Sequence, residues 1–159
     1  MRSGGIALII ALVAVVIFAA DFITKWLVQT RMTPGESISV IPHVFSITYI
    51  RNAGAAFGIL QRQTVLFVVI TCIVILLILT YGRRVARGWP AMSIALGLQL
   101  GGALGNLLDR LMYGRVIDFI DIHVWPFVFN IADSAIVVGG ILFAVLVLRQ
   151  PAGEEVERN

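Results

Sequence analysis

The sequence predicts an all-α polytopic membrane protein with four transmembrane helices and a small extracytoplasmic β-sheet on the first long loop. Of its 159 residues, 59% are apolar and 13% are charged, whereas a soluble domain has about 45–50% apolar and about 25% charged residues. The apolar residues are concentrated in four long runs, each close to the roughly 20 residues that a spanning helix needs. The polar segment between the first two runs contains a strand-like alternation.

The four helices are predicted at about residues 5–28, 64–81, 90–108 and 129–148. The first run is expected to be a retained span, because a secretory signal would end in small residues where this chain has Ile17 and Phe18. Pro90 favours a helix start, since a missing N–H costs little there. Residues 1–150 are therefore predicted to form one integral membrane domain, followed by a disordered cytoplasmic tail at 151–159.

The first loop, residues 29–63, is long for a connection without structure of its own. Apolar and polar residues alternate over 45–49, which predicts a half-buried strand. Residues 37–40 are a candidate partner strand. We therefore expect a small sheet on the membrane surface. The segment 111–128 is interpreted as a second surface segment.

The third helix carries a ridge of glycines. Gly97, Gly101 and Gly105 recur at every fourth position, a small-xxx-small pattern that lets another helix backbone approach closely. The end of the same helix carries Asn106 and Asp109. The ridge predicts tight helix packing next to a polar cluster.

Four spans place both termini on one side of the membrane and both long loops on the other. All five aspartates then fall at the loop side: Asp21, Asp109, Asp118, Asp121 and Asp133. Charged groups at a membrane edge are costly and mark functional sites. The dense basic turn at residues 83–87 favours a cytoplasmic location for that turn and for both termini. The cluster is then expected on the extracytoplasmic side.

Two carboxylates held a few ångströms apart cannot easily both ionise, so the pair offers an acid and a base together. Such a pair can activate a water molecule against a peptide carbonyl and protonate the leaving amine. The cluster therefore predicts an aspartyl peptidase. The pattern alone leaves open which two of Asp109, Asp118, Asp121 and Asp133 form the pair.

Simpler interpretations exist for each carboxylate. Asp21 and Lys25 lie four residues apart and can form a helix-surface ion pair. Asp133 can interact with a helix N-terminus, and Asp121 is interpreted as a solvated loop charge. Asp109 can belong to an interface anchor with its neighbour at 110. These interpretations do not explain why every aspartate falls on one side.

Other chemistries fit the sequence less well. A zinc peptidase would need a His-Glu-x-x-His motif, but His43 and His123 have no glutamate nearby. Scattered basic residues argue against nucleic acid as a partner. A proton-coupled small membrane transporter would need polar groups in both halves of the membrane, which the last three runs lack. A non-catalytic subunit of a membrane complex is the third hypothesis.

Five motifs in order resemble those of the lipoprotein signal peptidases (signal peptidase II, the bacterial prolipoprotein signal peptidase). The resemblance covers about residues 6–148. The motifs are Asp21-Phe-Ile-Thr-Lys25, Asn52-Ala-Gly-Ala-Ala-Phe57, Gly101-Gly-Ala-Leu-Gly-Asn-Leu-Leu-Asp-Arg110, Val116-Ile-Asp-Phe119 and Phe129-Asn-Ile-Ala-Asp133.

The resemblance implies an aspartic endopeptidase of the bacterial cytoplasmic membrane. Its partners would be membrane lipid and a diacylglyceryl-modified prolipoprotein, from which it would remove the signal peptide by cleavage before the lipidated cysteine. It implies Asp118 and Asp133 as the catalytic residues and no metal or other cofactor. Separately from the resemblance, we expect the enzyme to be monomeric. The residues implied to shape the site or hold substrate are Asn52, Asn106, Asp109, Arg110, Asn130, Asp21 and Lys25.

Overall fold

Four helices and four strands make up the described part of the chain, residues 3–54 and 63–149 of a computed structural model. The helices are α1 (Ser3–Arg31), α2 (Thr64–Val85), α3 (Pro90–Tyr113) and α4 (Ile131–Leu148). Each is long and apolar enough to cross a membrane, so the four predicted spans are confirmed in these ranges. The tail predicted to be disordered, 151–159, lies outside the described residues.

Two helix ends differ from the sequence-based bounds for local reasons. α2 does not end at Gly82 as expected but continues to Val85. Gly82 is buried within the helix, and a Cβ added there would lie in ordinary contact with Leu96 of α3 at 3.5 Å. α4 begins at Ile131 because the side chain of Asn130 caps it by accepting a hydrogen bond from an N–H of the first turn.

The glycine ridge lets the backbones of α3 and α1 touch. A Cβ added at Gly101 would lie 2.6 Å from the carbonyl oxygen of Ala14 in α1. Gly139 of α4 makes a similar approach, since an added Cβ would lie 2.8 Å from the carbonyl oxygen of Ala95 in α3. The predicted role of the ridge is confirmed, and α3 is the most buried of the four helices.

The strands form one antiparallel sheet in the order β1 (Ser37–Ile41), β2 (Phe45–Asn52), β3 (Val116–Ile122) and β4 (Val128–Phe129). The two strands predicted in the first loop are confirmed. The other two come from the second segment, which was interpreted only as a surface segment. Its strand signal is weak because residues 116–119 are all buried, so β3 lacks an alternation of buried and exposed positions.

The β2–β3 pairing joins the two loops at the end of the helix bundle. Asn52 pairs with Val116, and Ile50 pairs with Asp118. Apolar side chains of the sheet pack against the last turns of α1 in one cluster, formed by Val28, Met32, Tyr49, Ile117 and Phe119. The sheet is thereby held against the helix ends, and β3 carries Asp118 into the region where α3 ends and α4 begins.

Candidate active site

Asp118 lies in the middle of β3 and is 2% exposed. Both of its carboxylate oxygens accept hydrogen bonds from side-chain amides. Nδ2 of Asn130 donates to Oδ1 at 2.7 Å, and Nδ2 of Asn52 donates to Oδ2 at 2.9 Å. The two amides hold this carboxyl group in one orientation.

Asp133 lies in the first turn of α4 and is half-buried. Its Oδ1 accepts a hydrogen bond of 2.7 Å from Nδ2 of Asn106 in α3. Its backbone N–H donates to Oδ1 of Asn130 at 2.8 Å. Asn130 therefore contacts both aspartates, one through its amide nitrogen and the other through its amide oxygen.

Donor-only partners determine how the three asparagine amides point. A backbone N–H or an ammonium group can only donate, so it must face the amide oxygen. The oxygen of Asn52 accepts from Gly54 N–H at 3.0 Å, and that of Asn106 accepts from Lys25 Nζ at 3.1 Å. The oxygen of Asn130 accepts from the N–H of Asp133. All three NH₂ groups are consequently left to face carboxylates.

Lys25 is the centre of a second layer beneath these amides. Its ammonium group contacts Asp21 Oδ2 at 2.7 Å and Asp109 Oδ2 at 2.9 Å, and all three side chains are buried. The predicted Asp21–Lys25 pair is therefore confirmed, but it lies in the interior and not on a helix surface. Buried charges need partners and further hydrogen bonds, which this arrangement supplies.

Each aspartate of this layer also holds a backbone N–H. Asp21 Oδ1 accepts from Ala132 N–H at 2.9 Å, one of the first-turn groups of α4 that have no partner within the helix. Asp109 Oδ2 accepts from Ile117 N–H at 3.0 Å. The layer thus ties α1 to the start of α4, and α3 to the residue before Asp118.

Arg110 lies at the edge of the site and is partly buried. Its Nη1 donates to the carbonyl oxygen of Asn106 at 3.3 Å, and its guanidinium carbon lies 5.1 Å from the ring centroid of Phe67 in α2. Its charge interacts with those of Asp133 and Asp118. Arg110 therefore places a positive charge beside the two carboxyl groups.

Burial raises the pKa of Asp118 from 3.8 to about 7. The negative charge of Asp133 is the second cause of this rise, whereas the hydrogen bonds from Asn52 and Asn130 and the charge of Lys25 oppose it, and the pKa of about 7 is the net result. A carboxyl group with this pKa is substantially protonated near neutral pH. The site can therefore hold one proton between two carboxyl groups.

The sequence matches the family model described as Signal peptidase (SPase) II over residues 13–149. The chain belongs to the signal peptidase II family. Members of this family are membrane aspartyl peptidases that process prolipoproteins. The resemblance inferred from the five motifs is confirmed, as is the activity that it implied, and the transporter alternative receives no support.

Named relatives and solved structures agree with this family. The lipoprotein signal peptidase of Moorella thermoacetica is 45% identical over 144 residues, which cover 91% of this chain and 95% of the relative. That of Bacillus subtilis is 45% identical over 140 residues, covering 86% and 91%. A solved structure described as a bacterial membrane enzyme is 38% identical with a TM-score of 0.83, covering 93% of this chain and 92% of that one.

The structure brings all the predicted site residues into one network, but its backbone partners were missed. The predicted residues are Asp118, Asp133, Asn52, Asn106, Asp109, Arg110, Asn130, Asp21 and Lys25. The N–H groups of Ala132 and Ile117 and the ring of Phe67 were not predicted. Ala132 could have been found, because a first-turn N–H always needs an outside acceptor.

Asp121 was interpreted as a solvated loop charge, which is wrong. It lies in β3, and Thr48 Oγ1 of β2 donates to its Oδ2 at 2.7 Å. Thr48 in turn is 2.8 Å from Ser37 Oγ of β1. Asp121 thus belongs to a cross-strand polar row of the sheet and not to the site network.

Replacing Lys25 by methionine should destabilise the protein strongly. Asp21 and Asp109 would remain buried without their cation, a change that costs about 3–5 kcal/mol. Unfolding by denaturant in detergent micelles measures the loss. Arg31→Met is the matched control, since Arg31 is an exposed basic residue of the same helix and should change stability by less than about 0.5 kcal/mol.

A second substitution separates charge from packing. Asp109→Asn added to Lys25→Met removes one of the two unpaired carboxylates, so part of the lost stability should return. No recovery in the double variant, or equal losses in Lys25→Met and Arg31→Met, would contradict the ion-pair account.

Proposed function

We propose that Asp118 and Asp133 are the catalytic pair with which this signal peptidase II hydrolyses its prolipoprotein substrate. The observation that carries the proposal is how the five aspartates divide. Asp21 and Asp109 form ion pairs with Lys25, and Asp121 accepts a hydrogen bond from Thr48. The remaining two, Asp118 and Asp133, both contact the amide of Asn130. Because an amide is neutral, it does not cancel the negative charge of the pair, and the two carboxyl groups can still share a proton.

The reaction begins with the pair holding one proton, placed on Asp118 because burial raises its pKa to about 7. Asp133 accepts a proton from a water molecule, whose oxygen attacks the scissile carbonyl carbon. Asp118 donates a hydrogen bond to the carbonyl oxygen as negative charge develops there. Asp133 then gives its proton to the leaving nitrogen, and the C–N bond breaks. The cleavage lies before the lipidated cysteine, as in the family.

The other site residues act on this pair without reacting. Asn52, Asn106 and Asn130 hold the two carboxyl groups, and Lys25 holds the oxygen of Asn106. Arg110 adds positive charge beside the pair. No metal and no cofactor takes part in this scheme.

Asp118→Asn and Asp133→Asn should each lower cleavage of a lipidated prolipoprotein by at least about a hundredfold, because each removes a proton donor or acceptor. Asp121→Asn is the matched control: it changes a carboxyl group of the same strand that lies outside the site network, and it should retain activity. The measurement is a gel-based cleavage assay in detergent micelles. Wild-type rates in either single variant would overturn the assignment and favour a non-catalytic role.

The same variants test the proposed monomer. All site residues described above come from one chain, so a mixture of the two inactive variants should stay inactive. Recovery of activity on mixing would show that two chains share a site.

The raised pKa of Asp118 also predicts a pH dependence of stability. A carboxyl group whose pKa is higher in the folded state stabilises the fold below its unfolded pKa, and this contribution is lost as the pH rises through the folded value. Between about pH 5 and about pH 8, wild type should therefore lose about 2 kcal/mol relative to Asp118→Asn. Thermal unfolding in detergent at several pH values measures the difference. Parallel curves for the two proteins would contradict the prediction, whatever their constant offset.

We further propose that the termini face the cytoplasm and that the sheet and the site lie on the extracytoplasmic side. Arg83 and Arg84 in the last turn of α2 and Arg87 in the following turn are all exposed. A dense basic turn between two spans favours the cytoplasmic side.

Cysteine labelling in intact cells tests this orientation. In a Cys72→Ala background, Ser39→Cys in the exposed strand β1 should react with a membrane-impermeant maleimide, whereas Arg84→Cys should react only after the cells are broken. The opposite pattern would reverse the orientation and leave the dyad assignment intact.

A further inference from the structure

A groove that the catalytic scheme does not use runs along the lipid-facing side of α1 and α3. It is a cavity of about 220 Å³ between the last turns of the two helices. Its apolar wall is formed by Phe22, Trp26, Leu108 and Met112. Phe22, Trp26 and Met112 are each about half exposed. The groove therefore opens outward, toward the position of membrane lipid.

A second cavity of about 400 Å³ adjoins the groove beyond the helix ends. The two cavities share Gln29 and Tyr113 as lining residues. The second cavity is also lined by Arg51 and Arg115, both exposed. Gln29 lies seven residues beyond Phe22, which is about 10 Å along the helix. The arginines thus line a cavity that begins where the apolar groove ends, at Gln29 and Tyr113.

Neither guanidinium group forms an ion pair with a carboxylate of the described residues. In the ranges 3–54 and 63–149, both recorded ion pairs belong to Lys25. Arg51 is held in place by Tyr49, because its Nε donates to the hydroxyl at 3.0 Å and its guanidinium carbon lies 5.6 Å from the ring centroid. That bond uses Nε and leaves the outer N–H groups of Arg51, which lines the second cavity, without a hydrogen bond to the residues that the structure describes.

We propose that this groove and cavity, called here the Arg51–Arg115 site, bind an anionic phospholipid of the surrounding membrane. An acyl chain would lie in the apolar groove, and the phosphate would lie between the two guanidinium groups, which bind phosphate oxygens through paired hydrogen bonds. The one carboxylate that lines the groove, Asp109, is 5% exposed and is occupied by Lys25 and by Ile117 N–H.

The positive charge of the site favours an anionic phospholipid over the diacylglyceryl group of the substrate. A diacylglyceryl group is neutral and offers two arginines nothing to neutralise. A phospholipid with a net negative charge matches both halves of the site. Its phosphate meets the arginines, and its chain continues along the helices that cross the same membrane.

The Arg51–Arg115 site also touches the residues that hold the catalytic network. Ile117 lines its polar cavity and Lys25 lines its apolar groove. Ile117 carries the carbonyl that accepts from Asn130 at 3.2 Å, and Lys25 holds Asn106. A bound lipid would therefore stabilise this end of the fold. The inference concerns binding and does not depend on which aspartates are catalytic.

Native mass spectrometry and thermal unfolding of the purified full-length protein test the proposal. Phosphatidylglycerol should bind more tightly than phosphatidylcholine and should raise the unfolding temperature more. Arg51→Gln/Arg115→Gln should lower the phosphatidylglycerol affinity by about tenfold or more, because two charged contacts are lost. Arg83→Gln/Arg84→Gln is the matched control: it removes the same charge from the α2–α3 end and should keep the preference.

The remaining outcomes each decide against the site. If the Arg51→Gln/Arg115→Gln variant keeps the preference, or the control loses it equally, the binding depends on overall charge and not on this groove. If inorganic phosphate alone reproduces the stabilisation, the site binds a free anion and the apolar groove is empty of lipid. If phosphatidylcholine binds as tightly as phosphatidylglycerol, the arginines do not select the headgroup. Each of these results would overturn the proposal.

Discussion

The ammonium group of Lys25 is the interaction on which the rest of this site depends. It is buried in α1 and contacts two carboxylates and one amide oxygen. An ion of this kind is stable away from water only when it is fully partnered, so its three partners must stay where they are. Because those partners lie on α1 and α3, the ion ties the relative position of two helices to the orientation of Asn106.

That constraint divides the four aspartates of the network into two groups that have different hydrogen-bond and ion-pair partners. Asp21 and Asp109 neutralise Lys25 and hold two backbone N–H groups, so they build the end of the bundle. Among the described residues, the carboxyl groups of Asp118 and Asp133 accept hydrogen bonds only from side-chain amides. An amide positions a carboxyl group without supplying a full counter-charge, so a proton can still bind. The difference between an ammonium and an amide as a donor thus separates the carboxylates that neutralise Lys25 from the two that are proposed to react.

The small sheet completes the site by delivering Asp118 from outside the membrane helices. Pairing of β2 with β3 brings Asn52 of the first loop beside the strand that carries Asp118. The apolar cluster around Tyr49 and Ile117 holds the sheet against the end of α1. The same end of the molecule carries the two arginines of the Arg51–Arg115 site, so the proposed lipid site lies beside the sheet and the aspartate network.

Much of this architecture could be predicted because its signals are local. Four apolar runs determine the spans, the glycines of α3 predict a close helix contact, and alternation over 45–49 predicts a strand. The five motifs also contained every polar side chain of the network, although not the ring of Phe67. The strand at 116–122 was harder to predict, since residues 116–119 are all buried and the usual two-residue period disappears.

The sequence by itself determined which residues lie at this end of the membrane and which family they belong to, because span count and motif order are properties of the chain alone. Only the tertiary structure decided which groups each aspartate contacts. Asp21 and Asp133 look alike in the sequence, as acidic groups at the ends of apolar helices. Whether a carboxylate meets the ammonium of Lys25 or the amide of Asn106 depends on a few ångströms of helix packing, and hydrogen bonds and charges act over that distance.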